Sequence, residues 1–301
     1  MYMKIAIVSL FGHCECLFFL CELLQEHNIT LYISNNTRGE EQYVCKLYSN
    51  IDNVIFITDK LNEDVISLYD VIFKLSSNDD VIYHPSVISL LHLSILQNVS
   101  NRYISLTPYI TGNNISYMLP VFNPIDTRIS YNKLITMVGY FLNSWVDEDL
   151  RYFIENSKHN FNFIVWGDGN YDNLRKFSNV KLYHNISNEH LIELINDSSY
   201  ILLRNTSYIN YDRFTGMISL ALSFKKPLIV DKRTKEAYNI PGIVYEKQYS
   251  ELVDTLQNDM TISIYESLVN AIDEFNKNII NTNKILMNKI LQTSRKSYEF
   301  V

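Results

Sequence analysis

Residues 180–230 read VKLYHNISNEHLIELINDSSYILLRNTSYINYDRFTGMISLALSFKKPLIV, and their alternation decides the fold. Val180–Tyr183 is a short apolar run, and Ser187 is placed to cap a helix over 188–196. Tyr200–Leu203 is a second run, 215–224 a second helical pattern, and Pro227–Val230 a third run. Short continuous apolar strands separated by helices need crossover connections, so they form a parallel sheet with both faces covered. The pattern extends in both directions. Upstream, Leu134–Tyr140 and Phe161–Trp166 are strands around a helix at 146–157, and downstream Ile243–Tyr245 closes the sheet. From about 262 to 296, Ile264, Leu268, Ile272, Phe275, Ile279, Leu286 and Ile290 recur mostly at three- and four-residue steps, the pattern of a long amphipathic helix.

The same alternation fills the first part of the chain. Lys4–Ser9 reads as a strand, 14–26 as a helix, and Ile29–Ile33 and Val54–Ile57 as the next strands. Residues 62–76 place Val65, Leu68, Ile72 and Leu75 at helical spacing, which predicts a helix. Val81–Tyr83 is a strand, 86–97 a helix and Tyr103–Leu106 a strand. Thr107–Arg128, with Pro108, Gly112, Pro120 and Pro124, is the linker candidate. The expected architecture is α/β, with two Rossmann-like domains (1–125 and 126–260) facing across a cleft and a C-terminal helix (261–301) packing back across them. Ligands of such sheets sit beyond the carboxyl ends of the strands.

Composition narrows the function classes. In a chain of 301 residues, 47% are hydrophobic and 20% charged, a globular balance that excludes disorder. A net charge of -7 argues against general nucleic-acid binding through phosphate neutralisation. With 8 Gly and 6 Pro the chain is not loop-dominated, and its many Tyr, Asn, Ile and Lys residues match an AT-rich or viral genome. Cys14, Cys16, Cys21 and Cys45 crowd near the start without CxxC or zinc-site spacing and read as buried thiols. His13 and Glu15 interrupt the first apolar run, which excludes a secretory signal, and no run spans a membrane. A cytoplasmic protein with reduced thiols is expected.

Candidate sites lie where strands hand over to helices. Ser9–His13 follows the first strand; Gly12 permits a tight turn, and His13 is placed to act as a base or to hydrogen-bond a hydroxyl. The loop lacks GxGxxG, so a nicotinamide or flavin fingerprint is not supported. His84 follows the expected strand 81–83 and would point beyond its carboxyl end, whereas His92 sits inside the expected apolar helix as a packing residue. Gly167, Asp168 and Gly169 follow a strand and allow close backbone approach to a ring or phosphate. Arg204–Gly216 leaves a strand and enters a helix at Thr215-Gly216. With Arg204 and Arg213 nearby, that helix start suits a diphosphate.

From about 134 to 257 these motifs resemble the nucleotide-binding domain of GT-B glycosyltransferases, in particular the retaining group of sucrose synthase and bacterial mannosyltransferases. The matching runs are MVGYF, FIVWGDG, the stretch from Val180 to Leu203, and FTGMISLALSFKKPLIV. LPVFNPID (119–126) is similar to the segment before that domain, and VIYHP and MKIAIVSLFGH resemble the strand-end histidine and opening strand of the partner domain. The resemblance implies an acceptor-side N-terminal domain and a nucleotide-sugar C-terminal domain. It places Gly167, Asp168 and Gly169 by the nucleoside, Thr215 and Gly216 at the diphosphate, His84 at the transferred sugar, and His13 with Gly12 on the acceptor side. The family carries two Glu residues eight apart, where Tyr211 and Ser219 stand here. Its Arg and Lys after the first strand of that domain are replaced by Tyr140, Phe141, Leu142, Asn143 and Ser144. Arg204 or Arg213 would supply the missing charge, and Asp212 could take a ribose.

The activity so implied is transfer of a sugar, a hexose for preference, from a nucleoside diphosphate sugar to a glycan or small hydroxyl acceptor. It would proceed without cofactor or metal, since no HExxH and no Cys/His set stands at metal-ligand spacing. Three other readings stay open: an inactive GT-B-like domain binding nucleotide or partner, a phage-type DNA-base glucosyltransferase, and an enzyme such as an epimerase on the same architecture.

Overall fold

Strand β1 (Lys4–Ser9) is buried at every position after Lys4, the condition of a strand whose sheet is covered on both faces. The computed structural model describes residues 3–9, 14–35, 40–58, 61–75, 84, 86–92, 102–139, 147–166, 171–203 and 214–296. The chain divides into two units. One takes the residues up to Asn123, the stretch ending at Ser219 and those from Lys277 on; the other takes the stretch from Pro124 and Leu220–Asn276.

The first unit contains β1, α1 (Cys14–Leu23), β2 (Asn28–Ser34), α2 (Glu40–Leu47), β3 (Ile51–Ile57), α3 (Glu63–Ile66), β4 (Val71–Lys74), β5 (Val87–Leu91), β6 (Arg102–Ser105) and β7 (Ile115–Tyr117). Its seven strands run in the order β3-β2-β1-β4-β5-β6-β7, all parallel. Ala6 and Val8 join Ile66, Ile72 and Val87 in one apolar cluster. Helix α1 is buried from Cys14 through Glu22, as a helix apolar all round must be. The Phe18 ring lies 4.9 Å from Tyr43 and 5.0 Å from Phe122. Glu22, buried in the same helix, accepts from Tyr48 Oη at 3.2 Å and Asn123 Nδ2 at 2.9 Å. These bonds replace the water that the carboxylate loses.

Two elements correct the sequence reading. The helix expected over 62–76 is one turn, α3, followed by strand β4, whose four residues are all buried. Within the helix expected over 86–97, Val87–Leu91 is strand β5, also buried throughout; positions 93–97 and the strand expected at 81–83 lie outside the described residues. A short apolar run fits either period, and the pairing of β4 with β1 and of β5 with β4 decides the matter.

The second unit holds β8 (Leu134–Gly139), α4 (Glu148–Asn156), β9 (Asn160–Val165), α5 (Asp172–Arg175), β10 (Val180–His184), α6 (Asn188–Asp197), β11 (Tyr200–Leu202), β12 (Leu228–Asp231), α8 (Lys232–Tyr238), β13 (Gly242–Tyr245) and the single turn α9 (Leu252–Asp254). Its six parallel strands run β10-β9-β8-β11-β12-β13. Ser187 caps α6 as its position indicates, accepting from His190 N at 3.2 Å. Helix α7 (Gly216–Ser223) and the long helix α10 (Ile262–Lys296) each give residues to both units. On α10, Asn276 Nδ2 donates to the Leu222 carbonyl at 2.6 Å in one unit, and Asn283 Nδ2 to the Leu119 carbonyl at 2.8 Å in the other. Buried amides with a single partner each pin the helix in register. Among the described residues no helix is long and apolar enough to cross a membrane.

Two buried basic groups mark the second unit. Lys226 is fully buried, and its Nζ donates to the carbonyls of Arg128 and Asn196, the latter at 2.6 Å. Desolvation pulls its pKa down to about 8. His159 is 1% exposed and pairs with Ser157 Oγ at 3.0 Å. Burial, helped by the Lys133 charge, pushes its pKa down to about 4. The unfolded chain therefore takes up a proton near pH 6.5 that the folded chain refuses until about pH 4. Stability falls as pH drops through that window and levels off below it, by roughly 3 kcal/mol at about 1.4 kcal/mol per unit. Urea unfolding of His159→Gln between pH 7 and 4 should show a correspondingly shallower loss than the parent chain.

Candidate functional site

Each sheet winds outward in both directions from its first strand, so the strand order reverses beside β1 in one unit and beside β8 in the other. Ligand crevices of doubly wound sheets open at such points, outside the carboxyl ends of the strands. Several sequence candidates follow those ends directly: Gly12 and His13 after β1, Gly167, Asp168 and Gly169 after β9, and Arg204, Asp212 and Arg213 after β11. All eight lie outside the described residues, as do Tyr211 and the loop at 140–144.

Three described segments meet beside the carboxyl ends of β1, β4 and β5 in the first unit. Helix α1 begins there with Cys14, Glu15 and Cys16, which are 5%, 7% and 0% exposed. Leu75 follows the last residue of β4, and His92 the last residue of β5. His92 Nε2 lies 2.9 Å from the Leu75 carbonyl, which can only accept, so this nitrogen carries the proton. The third segment is the entry to α7. Phe214 N donates to the His92 carbonyl at 2.7 Å, and the Phe214 ring stands 6.2 Å from the imidazole. Gly216 then opens the helix.

Glu15 occupies the point where these segments meet. A Cβ on Gly216 would stand 2.6 Å from the Glu15 Cδ and 2.7 Å from Oε1, so a larger residue there would have to displace this carboxylate. The positive end of a helix dipole stabilises a negative charge placed there. Cys16 Sγ lies 3.6 Å from Glu15 Oε1 and 3.8 Å from His92 Nε2, and Cys14 Sγ lies 4.0 Å from Glu15 Oε2. The Glu15 carboxyl group thus lies against Gly216, one of the two residues of the expected diphosphate subsite.

Other sequence candidates fall elsewhere. His84 was expected beyond the carboxyl end of a strand. It precedes β5 instead, its carbonyl accepting from Val87 N at 2.9 Å and its Nδ1 lying 2.5 Å from Ser86 Oγ. Strand β5 separates it from the carboxyl edge by roughly 16 Å, at about 3.3 Å per residue. The strand-end histidine is His92, which the sequence reading had placed inside a helix. Ser219, at the position of the family's second Glu, is fully buried and donates its hydroxyl to the Pro120 carbonyl, so it offers nothing to a ribose. The reading also found no metal-type cluster by spacing. Folding assembles one from Glu15, Cys16 and His92. Its one sequence signal was VISLL between Ser86 and His92, a five-residue run too short for a core helix.

No family model matches the sequence, and no curated protein matches it by sequence. Solved structures do match. HepE of Anabaena, solved with UDP and glucose, is 12% identical with a TM-score of 0.62 over 97% of this chain and 100% of its own. AviGT4, a glycosyltransferase involved in avilamycin A biosynthesis, is 12% identical with a TM-score of 0.61 over 96% of this chain and 98% of its own. A mutant of the O-GlcNAc transferase of Thermobaculum terrenum is 10% identical with a TM-score of 0.61, over 98% of this chain and 68% of its own. The chain has the GT-B fold.

Within this GT-B chain the Glu15–Gly216 contact is testable by itself. Gly216→Ala should cost about 1–3 kcal/mol by overpacking. In a Glu15→Ala background the same substitution should cost far less, and a double-mutant cycle read by urea unfolding measures the difference.

Proposed function

We propose that this chain moves a sugar from a nucleoside diphosphate sugar to a hydroxyl of a glycan or small molecule. The observation that carries the reading is the likeness along nearly the whole chain to HepE, solved with UDP and glucose, and to the glycosyltransferase AviGT4. Glycosyl transfer builds positive charge on the sugar ring and negative charge on the departing diphosphate. The enzyme has to neutralise the second and align the acceptor oxygen with the anomeric carbon.

In this proposal Gly167, Asp168 and Gly169 approach the nucleoside and Asp212 the ribose hydroxyls. Arg204 and Arg213 carry the diphosphate. Their role is the larger because Glu15 lies against the start of α7, and two anions at one helix end repel. The guanidinium groups stand in for a divalent cation, so transfer is metal-independent. His13, next to the first residue of α1, accepts the proton of the acceptor hydroxyl. His84 is left out of the reacting groups by its place before β5. A cytoplasmic location fits a nucleotide-sugar donor and the absence of a disulfide at Cys14, Cys16, Cys21 and Cys45.

A second reading has one observation in its favour. With Glu15 at the α7 start and Ser219 turned to Pro120, the chain would bind nucleotide or a partner without transferring sugar. Thermal shift with nucleoside diphosphates and their sugars, followed by a transfer screen, separates the two. Binding raises the melting temperature, by about 2.7 kcal/mol of stability at one hundred times Kd. Stabilisation with turnover supports transfer, and stabilisation without turnover supports the second reading. Silence of the whole panel removes both nucleotide readings. Arg213→Ala and Arg204→Ala should each weaken nucleotide binding about 10- to 100-fold, the loss of a charge-assisted hydrogen bond, with folding unchanged. Calorimetric affinities equal to the parent in both variants would refute their role.

A further inference from the structure

We propose that Glu15, Cys16 and His92 form a binding site for a thiophilic divalent cation of the zinc class. This goes beyond the glycosyl-transfer reading and does not depend on it. One carboxylate oxygen, one thiol sulfur and one imidazole nitrogen lie within 4.8 Å of one another, brought together from the first turn of α1 and the end of β5. A tetrahedral zinc ion with bonds of about 2.3 Å to sulfur and about 2.0–2.2 Å to nitrogen and oxygen sets its ligand atoms about 3.4–3.6 Å apart. Two of the pairs, Cys16 Sγ to Glu15 Oε1 at 3.6 Å and Cys16 Sγ to His92 Nε2 at 3.8 Å, already stand near those edges. The third pair, the Glu15 carboxylate oxygen and the His92 nitrogen, lies within 4.8 Å and would draw together on binding.

Charge and softness select the ion. A thiolate and a carboxylate together cancel a divalent charge, so the buried site becomes neutral when filled, and a neutral imidazole completes it. Sulfur disfavours magnesium and calcium, while three mixed N, S and O ligands with one open position are a zinc arrangement. Binding releases the Cys16 thiol proton. It also takes the place of the proton that His92 Nε2 now gives to the Leu75 carbonyl at 2.9 Å; that proton moves to Nδ1, the other tautomer of the neutral ring, and a water on the fourth position supplies the donor that Leu75 loses. Cys14 Sγ, 4.0 Å from the second Glu15 oxygen, remains outside the ligand set. The filled site would join α1 to the end of β5, next to the entry of α7.

The test uses the full chain, stripped with a chelator under reducing conditions and titrated with cobalt(II) and then zinc(II). The expected result is one equivalent bound per chain, with the near-ultraviolet band of a thiolate–cobalt bond, bleached when zinc displaces cobalt. A wild-type spectrum without that band, or less than stoichiometric zinc by elemental analysis, overturns the proposal. Cys16→Ser should abolish the band, and His92→Gln should weaken zinc binding by more than the roughly 100-fold seen when an outer partner of a metal ligand is removed. Cys45 is the exposed thiol; loss of the band in Cys45→Ser but not in Cys16→Ser would assign the metal to that surface cysteine and also overturn the proposal. A missing wild-type band is decisive by itself, so the proposal stays falsifiable even where a variant fails to fold. Failure here leaves nucleotide binding untouched, and silence of the nucleotide panel leaves this site untouched.

Discussion

A parallel sheet cannot leave a face to water when every connection between its strands must cross over one face or the other. That constraint governs both units. It makes β1, β4 and β5 apolar at almost every position, and it leaves the chain free to carry polar chemistry only where strands end. The strand order β3-β2-β1-β4-β5-β6-β7 adds the second consequence. Crossovers diverge beside β1, and the beginning of α1 is left at the gap between them. Cys14, Glu15 and Cys16 occupy that helix start, so their burial follows from topology more than from any local preference of the sequence.

The glycine at the head of α7 matters for the same reason. A helix start presents unpaired backbone N–H groups, and a ligand anion or a protein carboxylate can answer them. Here Glu15 reaches that end, and the absence of a Cβ at Gly216 allows the approach. The entry to α7 is in turn tied to β5 by the bond from Phe214 N to the His92 carbonyl. Moving α7 would therefore disturb both the carboxylate and the histidine, which makes this edge of the first unit a single mechanical piece.

Much of the architecture was legible because burial on both faces writes itself as uninterrupted runs. KIAIVS and NFNFIV could be little else than central strands, and the amphipathic period of the long helix extended over enough turns to be unambiguous. The failures cluster at β4 and β5, whose runs of four and five residues are too short for their period to tell strand from helix. That error moved the strand-end histidine upstream, from His92 to His84. The cluster around Glu15 was illegible for a different reason. Cys16 and His92 are separated by 76 residues, and neither carries a spacing motif; only the parallel pairing of β1, β4 and β5 brings them to one edge.

The replaced glutamates leave a consistent electrostatic pattern under the proposed function. Ser219 is committed to the Pro120 carbonyl inside the first unit, so the ribose hydroxyls need an acceptor from another segment. The loop between β11 and α7 holds Arg204, Asp212 and Arg213 within one connection. A carboxylate accepts from paired hydroxyls but repels a diphosphate, whereas guanidinium groups do the reverse. Under the proposed function, with Glu15 lying against the start of α7, those arginines are the groups that would compensate the diphosphate. Charge order along one nucleotide, acidic toward the ribose and basic toward the phosphates, is thus the arrangement this loop composition favours. It requires no glutamate at position 211 or 219.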